Sequence, residues 1–221
     1  MLSSCHLMRK NSALHFVALA SYSFGRRTAH TLSEINFLAL FSEGLANLIY
    51  KHRLHLSMSF YVIIRGPLGC GKSTIAERLS KILKAKYFAV DRVLDEHNLT
   101  KDKEAGYISQ RSFIKANEII TPDAKRILDR GKPVVFDGNF YWKSQIDDLI
   151  KRLDFPHHVF TLKAPLEVCI ARDVERGKTH GADAARAVYK KSTEFDYGTV
   201  IDINRPLEVC VKDIISYLPK P

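Results

Sequence analysis

No run of about 18 consecutive apolar residues occurs in this chain, so no membrane-spanning helix is expected. Cysteine is scarce: Cys5, Cys70, Cys169 and Cys210 are all there is. None of the four forms a CxxC pair, and no histidine cluster accompanies them at zinc spacing. That excludes a zinc ribbon and a disulfide scaffold, and it points to a reducing cytoplasm. The N-K-x-D pattern that reads a guanine base is missing, since Thr100-Lys101-Asp102 does not satisfy it. Also absent are an internal repeat, a low-complexity segment and an aromatic-plus-basic RNA motif. Acidic residues are missing from positions 1–30.

What is present divides at Met58. Residues 1–57 hold six Lys or Arg, two acids (Glu34 and Glu43) and five of the nine histidines, with weak hydrophobic periodicity. A transit-type peptide would be rich in Ser and Arg and poor in acids. A docking arm could carry a helix near Leu32–Tyr50. The reading favoured is a biological start at Met58, two residues before a strand, with 1–57 outside the mature protein. The whole chain has 221 residues, 46% of them hydrophobic, and a formal charge of +10. This suits one α/β domain whose cations handle phosphate, and it does not require nucleic acid.

From Met58 onward, strand-like and helix-like patterns alternate. Phe60–Arg65 is an apolar run of the kind found in buried parallel strands. Lys72–Ala85 carries Ile75, Leu79, Ile82 and Leu83 at helical spacing. Further strands are expected at Lys86–Val90, Pro133–Asp137, His158–Leu162 and Thr199–Ile203. Helices are expected at Gln110–Arg130 (with Pro122 as a kink), Ser144–Leu153, Pro165–Arg176, Asp183–Thr193 and Pro206–Leu218. Five strands separated by helices call for a three-layer α/β fold on a parallel sheet.

Between the first strand and the first helix lies Gly66-Pro67-Leu68-Gly69-Cys70-Gly71-Lys72-Ser73, followed by Thr74. It fits G-x-x-x-x-G-K-[ST] at every fixed position and in the right context. The glycines let the backbone wrap with its N–H groups pointing inward, and the helix N-terminus completes an anion nest. Lys72 would put a charge on the β- and γ-phosphates, Ser73 would ligate Mg²⁺, and Thr74 would reach the α-phosphate.

In open α/β sheets, ligands sit at the carboxyl ends of the strands. Asp91, after the second strand, is the candidate for orienting and deprotonating an acceptor hydroxyl; the alternative is a helix N-cap. Asp137, after three apolar residues, is a candidate for Mg²⁺ or substrate contact, with Asn139 beside it; the alternative is a turn-forming Asp before Gly138. Arg172 and Arg176 lie four apart on one helix. The Gly-punctuated turn Gly177–Gly181 and a returning helix follow, giving a helical lid over about 172–193. Either arginine could neutralise transition-state charge; the alternative is a solvated face paired with Asp173 and Glu175. Asp202–Pro206 could contact a nucleotide base through backbone groups.

Residues 58–221 resemble the small P-loop kinases, in particular the group with polynucleotide 5′-hydroxyl kinase, chloramphenicol phosphotransferase, zeta-toxin and adenylylsulfate kinase domains. The resemblance is carried by GPLGCGKST, KYFAVD ending on Asp91, GKPVVFDGNF, LKAPLEVCIARDVER and the closing VIDINRPLEVCVKDII. It implies strand order 2-3-1-4-5, use of ATP with Mg²⁺, and a hydroxyl acceptor. Lys72, Ser73 and Thr74 would then hold phosphate and metal, Asp91 would activate the acceptor, and Arg172 and Arg176 would belong to the lid. The second strand lacks the double-Asp ending of several members. The expected function is transfer of the γ-phosphate of ATP to a small molecule or a polynucleotide 5′-hydroxyl. The alternative is an ATPase or nucleotide switch with no acceptor.

Overall fold

A computed structural model describes residues 59–175, 177 and 181–219. The expectations for residues 1–57 and the position of Arg176 lie outside the described residues. Strand β1 (Tyr61–Arg65) is buried along its whole length. Only a strand covered on both faces can be so uniformly apolar, and β1 is central: it pairs in parallel with β5 (Val134–Asp137) and β6 (His157–Lys163). Strand β2 (Lys86–Ala89) adds to β5, and β7 (Thr199–Asp202) adds to β6. The sheet order is β2-β5-β1-β6-β7. Numbered within this sheet alone, that is the expected 2-3-1-4-5.

Alternation along the strands feeds two cores. Val62, Ile64, Val135 and Leu162 pack against Ile75 and Leu79 of α1 (Lys72–Leu83) and Val211 and Ile214 of α7 (Leu207–Ser216). Ile63, Val134 and Phe136 face the other way, onto Phe113 and Ile120 of α3 (Gln110–Leu128) and Ile146 and Leu149 of α4 (Lys143–Leu153). Burying each such side chain stabilises the fold by roughly 1.5–3 kcal/mol. Pro122 lies inside α3 without splitting it. Ser109 caps that helix, its side chain accepting the Ser112 N–H.

A hairpin was not expected, and a helix after β2 entered only as the alternative reading of Asp91. A hairpin of β3 (Lys103–Glu104) and β4 (Tyr107–Ile108) turns through Ala105 and Gly106, both at positive φ. Two-residue strands are too short for alternation to reveal. Helix α2 (Val90–Glu96) begins immediately after β2, which ends at Ala89 instead of Val90. Helices α5 (Leu166–Glu175) and α6 (Ala182–Ser192) fall within a residue of expectation at their described ends. Among the described residues, no helix is long and apolar enough to cross a membrane.

Candidate active site

The phosphate loop follows the exposed-end rule for parallel sheets: β1 stops at Arg65, and the chain turns through Gly66–Gly71 into α1. Gly69 and Gly71 hold φ values of 73° and 84°, in the left-handed region that glycine alone enters without strain. At Gly69 there is also no room, because a Cβ would lie 2.0 Å from the Cys169 carbonyl oxygen. Pro67, Cys70 and Lys72 are buried, Leu68 is partly exposed, and Ser73 and Thr74 are exposed at the first turn of α1. The Ile75 N–H donates to Gly71 O at 3.0 Å, so the first helical bond starts inside the loop. The preceding amides at the mouth of the loop are the orphan donors of a helix N-terminus.

Lys72 Nζ donates to Pro67 O at 2.9 Å and to Asn139 Oδ1 at 3.2 Å. Both partners are neutral, so the ammonium charge has no hydrogen-bonded carboxylate here. That arrangement fits a polyphosphate. Ser73 Oγ donates to Asp137 Oδ2 at 2.7 Å. Asp137 is itself buried, and its other oxygen accepts from the Tyr87 hydroxyl at 2.7 Å. Register explains the meeting: β5 lies between β2 and β1, and Ile64 pairs with Asp137. The carboxylate therefore faces the α1 side of the sheet, beside the helix start. One hydroxyl and one carboxylate are hard oxygen donors suited to Mg²⁺, which commonly takes only one or two protein groups and fills its shell with phosphate oxygens and water. Among the described residues no set of three or more His, Cys, Asp or Glu could hold a metal.

Asp91 sits in the first turn of α2, beyond the strand end. It is not the N-cap, which is Ala89 with no side-chain cap bond. Its Oδ1 accepts the Asn139 N–H at 3.3 Å. Burial pushes its carboxyl up to about 6, against the pull of Lys72 and the Asn139 N–H; Asp137 and Asp95 add to the rise. Asn139 thus joins the two halves of the site, its side chain on Lys72 and its backbone on Asp91. Phe140, next along, has φ 40°, an uncommon conformation for a non-glycine. The burial-raised Tyr141 hydroxyl is pushed further upward by the nearby Asp91 charge, although its bond to the Ile108 backbone opposes the shift.

Arg65 is a residue that sequence reasoning missed. It has no exposed surface. Nε donates to Phe140 O at 3.2 Å, Nη1 to Thr161 Oγ1 at 3.1 Å and Phe195 O at 2.9 Å, and Nη2 to Ser192 O at 2.8 Å. The guanidinium also stacks 4.2 Å from the Phe195 ring centroid. Burial brings its pKa down to about 10, with Asp196 resisting. One buried cation ties the end of β1 to the Phe140 turn and to the chain leaving α6. An arginine closing an apolar run was the visible signal, but its partners lie 75 to 130 residues away.

Arg172 donates from Nη2 to Ile203 O at 3.2 Å. It lines an open pocket of about 230 Å³ with Gly71, Thr74, Ile203, Arg205 and Cys210. This pocket adjoins the loop, and Ile203 and Arg205 of the Asp202–Pro206 connection expected to meet a base line it. The structure therefore brings together Lys72, Ser73, Asp137, Asn139 and Asp91, and sets Arg172 apart with Thr74. Helix α6 is tied down at several points. Tyr107 OH donates to Ala187 O at 3.3 Å, Tyr189 OH to Ala164 O at 3.1 Å, and Lys191 Nζ lies 4.1 Å from the Trp142 ring centroid.

A parallel sheet of order 2-3-1-4-5 with a Gly-rich phosphate loop after its central strand defines a P-loop nucleotide-binding domain. The sequence matches the family described as the AAA domain over residues 62–195, and the chain belongs to that family. The fold is that of small P-loop kinases. A gluconokinase from Sinorhizobium meliloti 1021 superposes with a TM-score of 0.58 at 16% identity, covering 71% of this chain and 89% of that one. The APS kinase of Mycobacterium tuberculosis, solved with AMPPNP and APS, gives 0.55 at 15% identity, covering 72% and 96%. A tunicamycin resistance protein from Deinococcus radiodurans gives 0.54 at 17% identity, covering 72% and 94%. No curated protein matches the sequence.

Proposed function

We propose that this chain is an ATP-dependent kinase that transfers the γ-phosphate to the hydroxyl of a small molecule or a polynucleotide 5′ end. The observation that carries this reading is the relay Lys72–Asn139–Asp91. A phosphate-binding ammonium lies 3.2 Å from the Asn139 side chain, whose own backbone N–H is 3.3 Å from a carboxyl that burial pushes up to about 6. An ATPase needs only a positioned water; a basic carboxylate joined to the phosphate lysine suits removal of a proton from an alcohol. The kinase folds of the similar structures agree with this reading.

In this mechanism the triphosphate lies in the Gly66–Thr74 loop. Lys72 exchanges its bonds to Pro67 O and Asn139 Oδ1 for the β- and γ-phosphates. Ser73 and Asp137 would hold Mg²⁺, which supplies charge neutralisation at the β- and γ-oxygens when bound. The acceptor oxygen bonds to the γ-phosphorus, the bond from that phosphorus to the β,γ-bridging oxygen breaks, and ADP departs. The hydroxyl proton passes to Asp91. The base of ATP occupies the pocket between Thr74, Arg172 and Ile203, so Arg172 acts on the nucleoside end; charge neutralisation at the γ-phosphate falls to Lys72.

The test compares ADP production by the full chain, Lys72→Ala and Asp91→Asn, each with a pool of hydroxylated metabolites, nucleosides and 5′-hydroxyl oligonucleotides. Acceptor-stimulated ADP release that is lost in both variants, with ATP binding retained in Asp91→Asn alone, is the expected result. Equal release with and without acceptors, unaffected by Asp91→Asn, contradicts the proposal and leaves an ATPase.

A further inference from the structure

Resting on the reading of Ser73 and Asp137 as the Mg²⁺ site, we propose that Tyr87 is the positioning residue that keeps Asp137 aimed at the metal while Ser73 changes partners. Tyr87 and Asp137 lie on neighbouring parallel strands, with Tyr87 paired to Val135 and Ala89 to Asp137. Residues two apart on a strand share a face, so Tyr87 is a diagonal neighbour of Asp137 on the α1 side. Its hydroxyl donates to Oδ1 at 2.7 Å while Ser73 donates to Oδ2 at 2.7 Å. The buried carboxylate is thus held at both oxygens by hydroxyl groups.

The two hydroxyls differ in what binding asks of them. Ser73 is exposed at the start of α1 and sits inside the phosphate site, so ligation of a metal requires its oxygen lone pairs and frees it from donating to Oδ2. Tyr87 is half-buried, and its ring packs against the core formed by Val62, Val135 and Ile75. Its hydroxyl donates to Oδ1 from β2, outside the Gly66–Thr74 loop, and can hold that oxygen while Ser73 turns to a metal. The terminal torsion of an aspartate is broad, so a carboxylate held at neither oxygen samples a range of orientations. One fixed oxygen leaves the other presented toward Ser73.

Groups that orient a metal-binding carboxylate in this way typically change metal affinity by about 10- to 100-fold when removed. The experiment is calorimetric titration of the full chain with AMPPNP, in EDTA and in saturating Mg²⁺. It uses wild type, Tyr87→Phe and Tyr189→Phe. The last removes a half-buried hydroxyl bonded to Ala164 O, away from Asp137. The expected result is unchanged affinity in EDTA for all three, with the Mg²⁺-dependent gain cut about tenfold in Tyr87→Phe alone. A full gain in Tyr87→Phe, or an equal loss in Tyr189→Phe, overturns the proposal and leaves the kinase reading standing. A wild type whose affinity ignores Mg²⁺ overturns both.

Discussion

On the phosphate side of the site, Lys72, Ser73 and Asp137 are held by side-chain hydrogen bonds of 2.7 to 3.2 Å, and two glycines in the left-handed region shape the loop between them. On the acceptor side, Asp91 accepts one backbone N–H at 3.3 Å, and its neighbours Tyr141 and Asn139 come from a different stretch of chain. The phosphate side is held together by these bonds. The acceptor side is anchored through Asn139, and through Arg65 behind the Phe140 turn. The difference follows from the chemistry of each ligand. A triphosphate presents the same charges in every such protein and is bound by local backbone and one lysine. On the proposed reading an acceptor varies, and the groups around Asp91 come from distant segments of the chain.

If the two sides divide binding from proton transfer, they can be broken separately. Lys72→Ala should remove the largest effect, lowering acceptor-stimulated turnover by about a thousandfold in steady-state assays and weakening ATP binding with it. Asp91→Asn should lower turnover by about 10²- to 10⁴-fold while leaving nucleotide affinity near wild type. The wild-type rate should also fall as pH drops through about 6, where Asp91 takes up its proton.

The same residue sharpens the comparison through stability. The folded-state pKa of Asp91 is raised from 3.8 to about 6, so the folded protein holds this proton more tightly than the unfolded chain does. That contribution is fully present below the unfolded value and is lost as pH rises through about 6. At pH ~8 the charged carboxylate is therefore a liability, and Asp91→Asn should melt about 6–12 °C higher, with the advantage vanishing near pH ~3.5. A thermal-shift series across pH checks it; an advantage independent of pH would mean the carboxyl is not penalised by burial.

Arg65→Met tests the anchor behind the acceptor side. It strands the Phe140, Ser192 and Phe195 carbonyls and should cost about 2–4 kcal/mol in urea unfolding. The smallest effect expected is for Arg172→Ala, which should weaken ATP about five- to tenfold in a binding titration, roughly 1 kcal/mol, without altering the pH dependence of turnover. A shift of that dependence would return Arg172 to the reacting phosphate.

The parts of this molecule legible in its sequence are those written locally. The run Tyr61–Arg65 and the spacing of Ile75 and Leu79 mark a buried strand and the helix after it, and the phosphate loop is a contiguous motif. Asp137 was visible because it ends an apolar strand. Asp91 was placed one element too early, because Val90 extends the apolar run past the true end of β2. Three residues stayed hidden in their roles. Tyr87 looked like strand filler, since only the register of β2 against β5 sets it beside Asp137. Arg65 gave no sign of its partners. Arg172 was assigned by helical spacing to a lid, and its bond to the Ile203 carbonyl, 31 residues away, is not visible in that spacing.

The most direct measurement of transfer to an alcohol follows γ-labelled ATP with Mg²⁺ and the full chain, with the label tracked to product in the presence of the acceptor pool. The expected result is label in a phosphate ester, formed one-for-one with ADP, and absent when Asp91 is Asn. Label recovered only as inorganic phosphate, at a rate that no acceptor changes, would contradict it.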